Sequence, residues 1–408
     1  MTLAQYAMLL IIGWQTYNLA RDAGMSVAEA SGQLALIGLL QFLPLFVLTP
    51  FTGLAADRYN RRGLGLLTIF LQLLCAGFLG WFTYTDSISL GVLFSVSVLL
   101  GIARGFSGPA FSALAPNLVP AALLPTAIAV STVAWQMGSI LGAALGGYLY
   151  SLTPALPYVV SGGLFALGFV ALGLVGKVPQ PAMREDQRPI GAIVDGLRYV
   201  GRNKMVLGAI TLDLFAVFLA GANALLPVFA RDILKVGADG LAQLAMAPGI
   251  GAALTAAYFS FRPLTTNVGP KMLWAVFVFG LATIAFAFSR SMVLSLVLLF
   301  IIGSADMFSV YVRQSLIQLH TPDDKRGRVS SVSMMTISAS NEGGDAFSGA
   351  LAFVIGPVAA LVAGGVGAIA TVALWSRIFP VLRTTKTFDP PDDLLEDTQS
   401  KETQGSLT

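Results

Sequence analysis

Residues 53–62 read Gly53-Leu-Ala-Ala-Asp57-Arg58-Tyr-Asn-Arg61-Arg62 and close an apolar run that begins near residue 33. An apolar stretch of about 20 residues that ends in a knot of arginines is how a membrane helix meets a basic cytoplasmic loop. The rest of the chain keeps that character. Of its 408 residues 56% are apolar and only 11% charged, against about 25% charged in an ordinary soluble protein. Mean hydropathy is +0.78. With so few charges no soluble fold covers this much apolar surface, and the bilayer must be the solvent. A set of two or three soluble domains, which length alone would suggest, is excluded.

Working outward from residue 53, twelve runs are long enough to span: 3–20, 33–54, 64–84, 88–112, 123–150, 155–176, 205–230, 240–261, 270–289, 292–317, 328–350 and 352–376. An even count puts both termini on one side. The loops of that side carry 18 of the 24 basic residues, so both termini are expected in the cytoplasm. The fold class expected is an all-α integral membrane protein of twelve helices in two pseudo-symmetric halves. Residues 1–176 form the first half, 177–204 a cytoplasmic linker, 205–376 the second half, and 377–408 a polar, disordered cytoplasmic tail. Within the linker, Ile190, Ile193, Val194, Leu197 and Val200 share a helical face that excludes Asp195, Arg198 and Arg202. That pattern predicts a helix lying on the membrane surface.

Composition removes several functions. One cysteine, Cys75, and one histidine, His320, build neither a disulfide nor a zinc site. His320 lies in a charged loop, so no nucleophile–base set forms around it, and neither enzyme activity nor a cofactor is expected. A net charge of +3, with no basic stretch interleaved with aromatics, argues against nucleic acid. The N-terminus has no basic segment or clear cleavage site of the kind a signal peptide carries. The expected partners are a small-molecule substrate, protons and the lipid bilayer. The expected location is a bacterial-type inner membrane, crossed many times, with the chain a monomer.

The two halves are related to each other. At a constant offset of 202, Gly101 matches Gly303, Pro120 matches Pro322, Ser131 matches Ser333, Gly142 matches Gly344, and Gly147 matches Gly349. The first and seventh spans both end in Ala-Arg-Asp, at 20–22 and 230–232. Tandem six-helix halves with a site between them are a transporter architecture. The first span is shorter than the seventh before that tripeptide, which fits either missing first turns or a genuinely short first span.

The segment 53–62 resembles the signature of the major facilitator superfamily, Gly-x-x-x-Asp-Arg-x-Gly-Arg-Arg, found between its second and third helices. The resemblance implies a conformational latch made of Gly53, Asp57, Arg58, Arg61 and Arg62. Asn60 stands where the family has Gly, and Asn tolerates the left-handed conformation better than most residues. Gly138, Gly142, Gly146 and Gly147 resemble the family's antiporter motif, with Ala143 in place of its proline; a plain small-residue packing face reads equally well. Leu212-Asp213, Ala224-Leu-Leu-Pro227, Gly303-Ser-Ala-Asp306, Arg313-Gln314, Arg326-Gly327-Arg328 and Ser340-Asn341-Glu342-Gly-Gly-Asp345 are similar to the branch of siderophore (enterobactin) exporters and macrolide-efflux-like proteins. Arg104 resembles the superfamily's fourth-helix arginine, which implies a part in proton transfer.

Six charges fall inside spans: Arg104, Asp213, Asp306, Arg313, Glu342 and Asp345. Each costs about 2.5–3.5 kcal/mol to insert, so each needs a partner or a cavity. Four acids against two bases leave carboxylates free to take up and release protons. Asp213 and Arg313 sit at similar depth, which fits either a coupling pair or a structural ion pair. Trp14, Gln15, Gln41, Gln136, Asn223 and Asn341 are candidates to line a substrate pocket. The resulting expectation is an exporter of a small organic molecule, siderophore or drug-like, working by proton antiport and alternating access. A proton-coupled importer of the same fold, and a non-transporting sensor or lipid-handling protein, are the alternatives.

Overall fold

The computed structural model describes residues 1–114, 118, 120, 123–176 and 189–389. Its first half contains α1 (Thr2–Asp22), α2 (Val27–Arg58), α3 (Arg61–Tyr84), α4 (Leu90–Leu114), α5 (Leu124–Leu152) and α6 (Leu156–Leu174). A linker helix, α7 (Pro189–Arg202), follows. The second half contains α8 (Lys204–Leu219), the single-turn α9 (Leu226–Val228), α10 (Gly237–Phe261), α11 (Val268–Phe288), α12 (Met292–Leu319), α13 (Asp323–Ile355) and α14 (Pro357–Ile378), and α15 (Pro380–Thr384) ends it. With Lys204–Ile233 counted as one span, twelve long helices result, as the apolar runs predict. Among the described residues nine are able to cross a bilayer by length and composition. The other three carry polar side chains in their middles: Gln15 and Thr16 in α1, Gln136 and Ser139 in α5, Asn341 and Glu342 in α13.

Local chemistry sets the helix starts. At the head of α2, Ser26 N–H donates to Glu29 Oε2 at 2.7 Å and Glu29 N–H donates to Ser26 Oγ at 3.2 Å. This capping box satisfies donors that have no partner within the helix. The same hydrogen bonds from Ser26 hold the Glu29 carboxyl below its ordinary range. Asn203 caps α8, accepting from Met205 N and Val206 N, each at 3.1 Å.

The packing of the first half recurs in the second. α2 lies on α4, α1 on α5, and α3 on both α4 and α6; correspondingly α10 lies on α12, α8 on α13, and α11 on both α12 and α14. Between the halves, α2 runs along α13 and α5 along α10. Glycines related by the 202-residue offset serve matching joints. A Cβ on Gly101 would fall 2.5 Å from Gln41 O of α2, and one on Gly303 would fall on Pro248 O of α10. A Cβ on Gly147 would stand 2.7 Å from Ala238 O of α10, and one on Gly349 2.8 Å from Ala35 Cα of α2. Gly138, Gly142 and Gly146 face Thr2, Leu3 and Ala7 of α1. The glycine row of α5 is therefore a contact face, where absent side chains let backbones approach in a solvent that supplies no hydrophobic drive.

The seventh span is broken. α8 stops at Leu219, residues 220–222 leave the helix, and a 3-10 turn (Asn223–Leu225), α9 and a π-turn (Phe229–Ile233) complete the crossing. Pro227 lacks the N–H that would bond back to Asn223. Gly221 meets Gly344 of α13 at the break, where a Cβ would lie 3.0 Å from the Gly344 carbonyl oxygen.

Two expectations change. The linker helix expected at the membrane surface is also docked on the protein: α7 packs on α13, α8 and α2. Gly196 sits beneath Arg328 O, Tyr199 Oη donates to His320 O at 3.0 Å, and Val200 is buried, while Val194 and Leu197 stay exposed. The tail expected to be disordered from 377 has structure through Asp389. Thr385 O and Lys386 O accept from Gly269 N and Val268 N at 3.1 and 3.3 Å, satisfying the first free donors of α11. Residues 390–408 lie outside the described residues.

Candidate functional site

Arg104 stands midway along α4, and among the intramembrane charges it alone belongs to the first half. Its counter-charge comes from the other half: Arg104 Nη2 lies 2.5 Å from Glu342 Oε1 of α13. Gln41 of α2 accepts from Arg104 Nη1 at 3.4 Å. Tyr6 of α1 is within electrostatic reach of both members of the pair, and its ring meets Trp135 of α5 edge-on at 6.2 Å. One turn beyond Glu342, the Asp345 carboxylate accepts the N–H of Ala224 at the break in the seventh span. The Arg104 and Glu342 side chains keep 13% and 23% exposure, so the pair is not sealed within the helix packing. Asn223 and Asn341, polar and exposed at the same level, fit the wall of a wet cavity and not a lipid face.

A second charged group lies inside the second half. Arg313 of α12 is paired with Asp213 of α8, their side chains 2% and 7% exposed. Asp306, two turns along α12, lines a small void with Asp213, Ala305, Phe279 and Ser309, and has no ion-pair partner among the described residues. A pair this dry ties α8 to α12 within one half.

A third group closes the face at which α1 ends. The two Ala-Arg-Asp tripeptides bind each other reciprocally. Arg21 Nη2 lies 3.0 Å from Asp232 Oδ1, and Arg231 Nη2 lies 2.5 Å from Asp22 Oδ1. Tyr17 Oη donates to Asp232 Oδ2 at 2.5 Å, and Arg231 Nη1 donates to the Asn18 carbonyl at 3.1 Å. Just inside this face Trp14, Tyr17, Ala20, Ala30 and Leu34 of the first half merge with the apolar core of the second.

The predicted residues divide accordingly. Glu342, Asp345, Arg104, Gln41, Asn223 and Asn341 share one region. Asp213, Arg313 and Asp306 lie apart from it. Gln136 is half-buried on α5, one residue beyond Trp135. Trp14 and Gln15, expected to line the pocket, are buried in the helix packing instead. Gln15 donates to Thr83 Oγ1 at 3.1 Å and accepts from Tyr158 Oη at 2.7 Å, so α3 and α6 take up its polarity. The surroundings of Gly53 and the side chains of Asp57 and Arg58 lie outside the described residues. Arg62 caps the end of α6, donating to Leu172 O at 3.1 Å and to Gly173 O at 2.5 Å. Asn60 is not left-handed. At φ −60° and ψ 112° it is an extended N-cap of α3, accepting from Gly63 N at 3.1 Å. Sequence reasoning missed Tyr6 and the Arg104–Glu342 union. The signal for the union was there: one interior base in a half with no interior acid has to pair across.

The family model of the Major Facilitator Superfamily matches residues 2–341. The multidrug efflux pump Tap of Mycolicibacterium fortuitum is 25% identical over 346 residues, 81% of this chain and 79% of the pump. The enterobactin exporter EntS of Escherichia coli O1:K1 / APEC is 26% identical over 358 residues, 85% of this chain and 83% of the exporter. Among solved structures, a bacterial homologue of the human lysosomal transporter Spinster superposes with a TM-score of 0.73 at 16% identity, covering 94% of this chain and 96% of its own. This chain is a multi-pass membrane transporter, and it belongs to the Major Facilitator Superfamily.

Proposed function

We propose that the protein exports a small organic molecule, siderophore or drug-like, in exchange for protons, as a monomer in a bacterial inner membrane with both termini in the cytoplasm. The observation that carries the reading is the Arg104–Glu342 pair, which joins α4 of one half to α13 of the other and stays partly exposed, beside Asp345. The efflux pumps among its relatives support the outward direction. With the termini inside, the Arg21–Asp232 and Arg231–Asp22 bridges lie at the outer face, and we take this arrangement as the inward-facing state. Substrate enters from the cytoplasm between the halves. Glu342 and Asp345 then have two roles: each holds its partner when ionised and releases it when protonated. A proton arriving from outside neutralises a carboxylate, frees Arg104 or the Ala224 N–H, and lets the halves rock about the site. The loop 53–62 acts as a latch in this cycle, so Asp57→Asn slows turnover without removing ligand binding.

The test uses inside-out vesicles with an acidified lumen and a pH-sensitive dye. A catecholate siderophore, a macrolide and a lipophilic cation are added in turn. Proton release from the lumen on one addition, absent in Glu342→Gln, is the expected result. Release that persists unchanged in Glu342→Gln would remove the carboxylate from the coupling path.

A further inference from the structure

The sides of α7 that the rest of the protein leaves uncovered carry a pattern of their own. We infer that they form a docking surface for anionic phospholipid, with Arg198 and Arg202 meeting the headgroup phosphate and Val194 and Leu197 entering the acyl-chain boundary. The orientation proposed above makes this the inner leaflet.

Depth is the first ground. α7 is seated on α13 through Gly196, where a Cβ would stand 2.9 Å from Arg328 O and 3.1 Å from Val332 Cγ2. At the other end of α13, Phe353, Val354 and Ile355 are apolar and exposed, so hydrocarbon reaches that far before the chain turns into α14 at Gly356. Val332 lies 23 residues before Ile355, about 35 Å along the helix. The hydrocarbon core is about 30 Å thick. α7 therefore sits just outside the hydrocarbon, at headgroup depth.

The chemistry of its faces is the second ground, independent of the first. At 3.6 residues per turn the docked residues Gly196 and Val200 take one side of α7, Val194 and Leu197 a second, and Arg198 and Arg202 a third. Val194 and Leu197 are 46% and 48% exposed. An uncovered apolar stripe beside a basic one is the pattern of a helix that lies in the interface plane. Asp195, the single acid of α7, is taken by Arg328 at 3.4 Å and sets no free negative charge against a headgroup.

Arg198 and Arg202 are exposed, and they make no ion pair or hydrogen bond among the described residues; Lys204, at the head of α8, is in the same condition. Four residues apart, the two arginines are neighbours on the helix surface, and like charges at that spacing repel. A phosphate between them removes the repulsion, since a guanidinium meets phosphate oxygens two at a time. A zwitterionic headgroup brings its own cation and relieves less of it, whereas an anionic leaflet attracts basic residues at its surface. A soluble anion would satisfy the arginines and leave Val194 and Leu197 in water.

The test uses the full-length protein with Val194→Cys, labelled with bimane and reconstituted in phosphatidylcholine vesicles; Cys75 is buried and stays unlabelled. Brominated phosphatidylglycerol or brominated phosphatidylcholine, alike in their chains, is included at rising mole fraction. Bromine quenches only from lipid in contact with α7. The phosphatidylglycerol should reach half-maximal quenching at a mole fraction at least threefold lower than the phosphatidylcholine. Arg198→Gln with Arg202→Gln should abolish that difference and leave quenching by phosphatidylcholine in place, because the apolar stripe remains. Arg198→Lys with Arg202→Lys, which keeps the charge, should retain the preference. Inorganic phosphate at constant ionic strength should displace neither lipid.

Equal quenching by the two lipids in the wild type overturns the inference, as does an unchanged preference in the double glutamine variant. No quenching by either lipid overturns it too, and means that water or another segment of the chain covers α7. Displacement by inorganic phosphate would make the arginines a soluble-anion site instead. Lipid contact is read without substrate, so a protein that shows the preference but transports nothing would sink the exporter reading and leave this surface standing.

Discussion

Arg313 and Arg104 show how one side-chain type serves two ends in one bilayer. Arg313 and Asp213 are almost wholly buried and sit on helices of the same half. Removing one member of such a pair strands a buried charge and costs about 3–5 kcal/mol, whereas replacing both with apolar residues is close to neutral. Asp213→Asn should therefore reduce the folded yield, and Asp213→Leu with Arg313→Met should restore much of it, as read by size-exclusion profiles of solubilised protein. That outcome assigns the pair to structure. Normal folding of the single variant with loss of coupling would return it to the proton path. Asn60 gives a sharper local test. As an N-cap, its loss in Asn60→Ala costs about 1 kcal/mol, while Asn60→Ser keeps the bond. A left-handed residue would gain nothing from serine, so thermal unfolding of the two variants decides between the geometries. At this scale the sequence was legible where a charge had no local partner and misleading where a neutral polar side chain finds its partners on distant helices. Gln15 looked like a pocket residue because nothing in its own helix shows that Thr83 and Tyr158 will receive it.

At the scale of elements, magnitude separates gates from ties. The bridges at the end of α1 are partly exposed, with side chains at 26% and 22% for Arg21 and Asp232 and 27% and 67% for Arg231 and Asp22. Exposed pairs of this kind contribute about 0.2–1 kcal/mol each. Two of them bias an equilibrium by roughly tenfold, which holds a closed face without locking it. Arg21→Ala with Arg231→Ala should accordingly raise labelling of Asn341→Cys by an impermeant maleimide added outside intact cells. Arg21→Asp with Asp232→Arg, which rebuilds one bridge with its signs exchanged, should bring labelling back down. Cys75 does not disturb the assay, because it is buried. Labelling that ignores all these changes would remove the bridges from gating. The helices themselves were readable, since long apolar runs admit little else in a bilayer. The break at 220–222 was not, although Gly221 and Pro227 lie in plain view. It depends on Gly344 and Asp345 arriving from a helix more than a hundred residues away.

For the whole molecule, the repeat is the organising fact. Helix pairings and glycine joints of one half return in the other at a fixed offset, and the contacts between halves exchange in the same way, α2 with α13 and α5 with α10. The docking of α7 and the fit of residues 385–388 were not legible in the sequence. Both are held by backbone carbonyls, which sequence patterns do not display. The reciprocal tripeptides carry a consequence for ancestry. When Arg21 takes Asp232 and Arg231 takes Asp22, the contact is self-complementary in the sense of a twofold dimer, where each surface is its own partner. One six-helix unit bearing Ala-Arg-Asp would already have made both bridges with a second copy of itself, before any gene fusion joined the two. Residues 1–176 and 189–408 produced as separate chains should still find each other in the membrane, and Arg21→Asp placed in the first should weaken that reunion until Asp232→Arg is placed in the second.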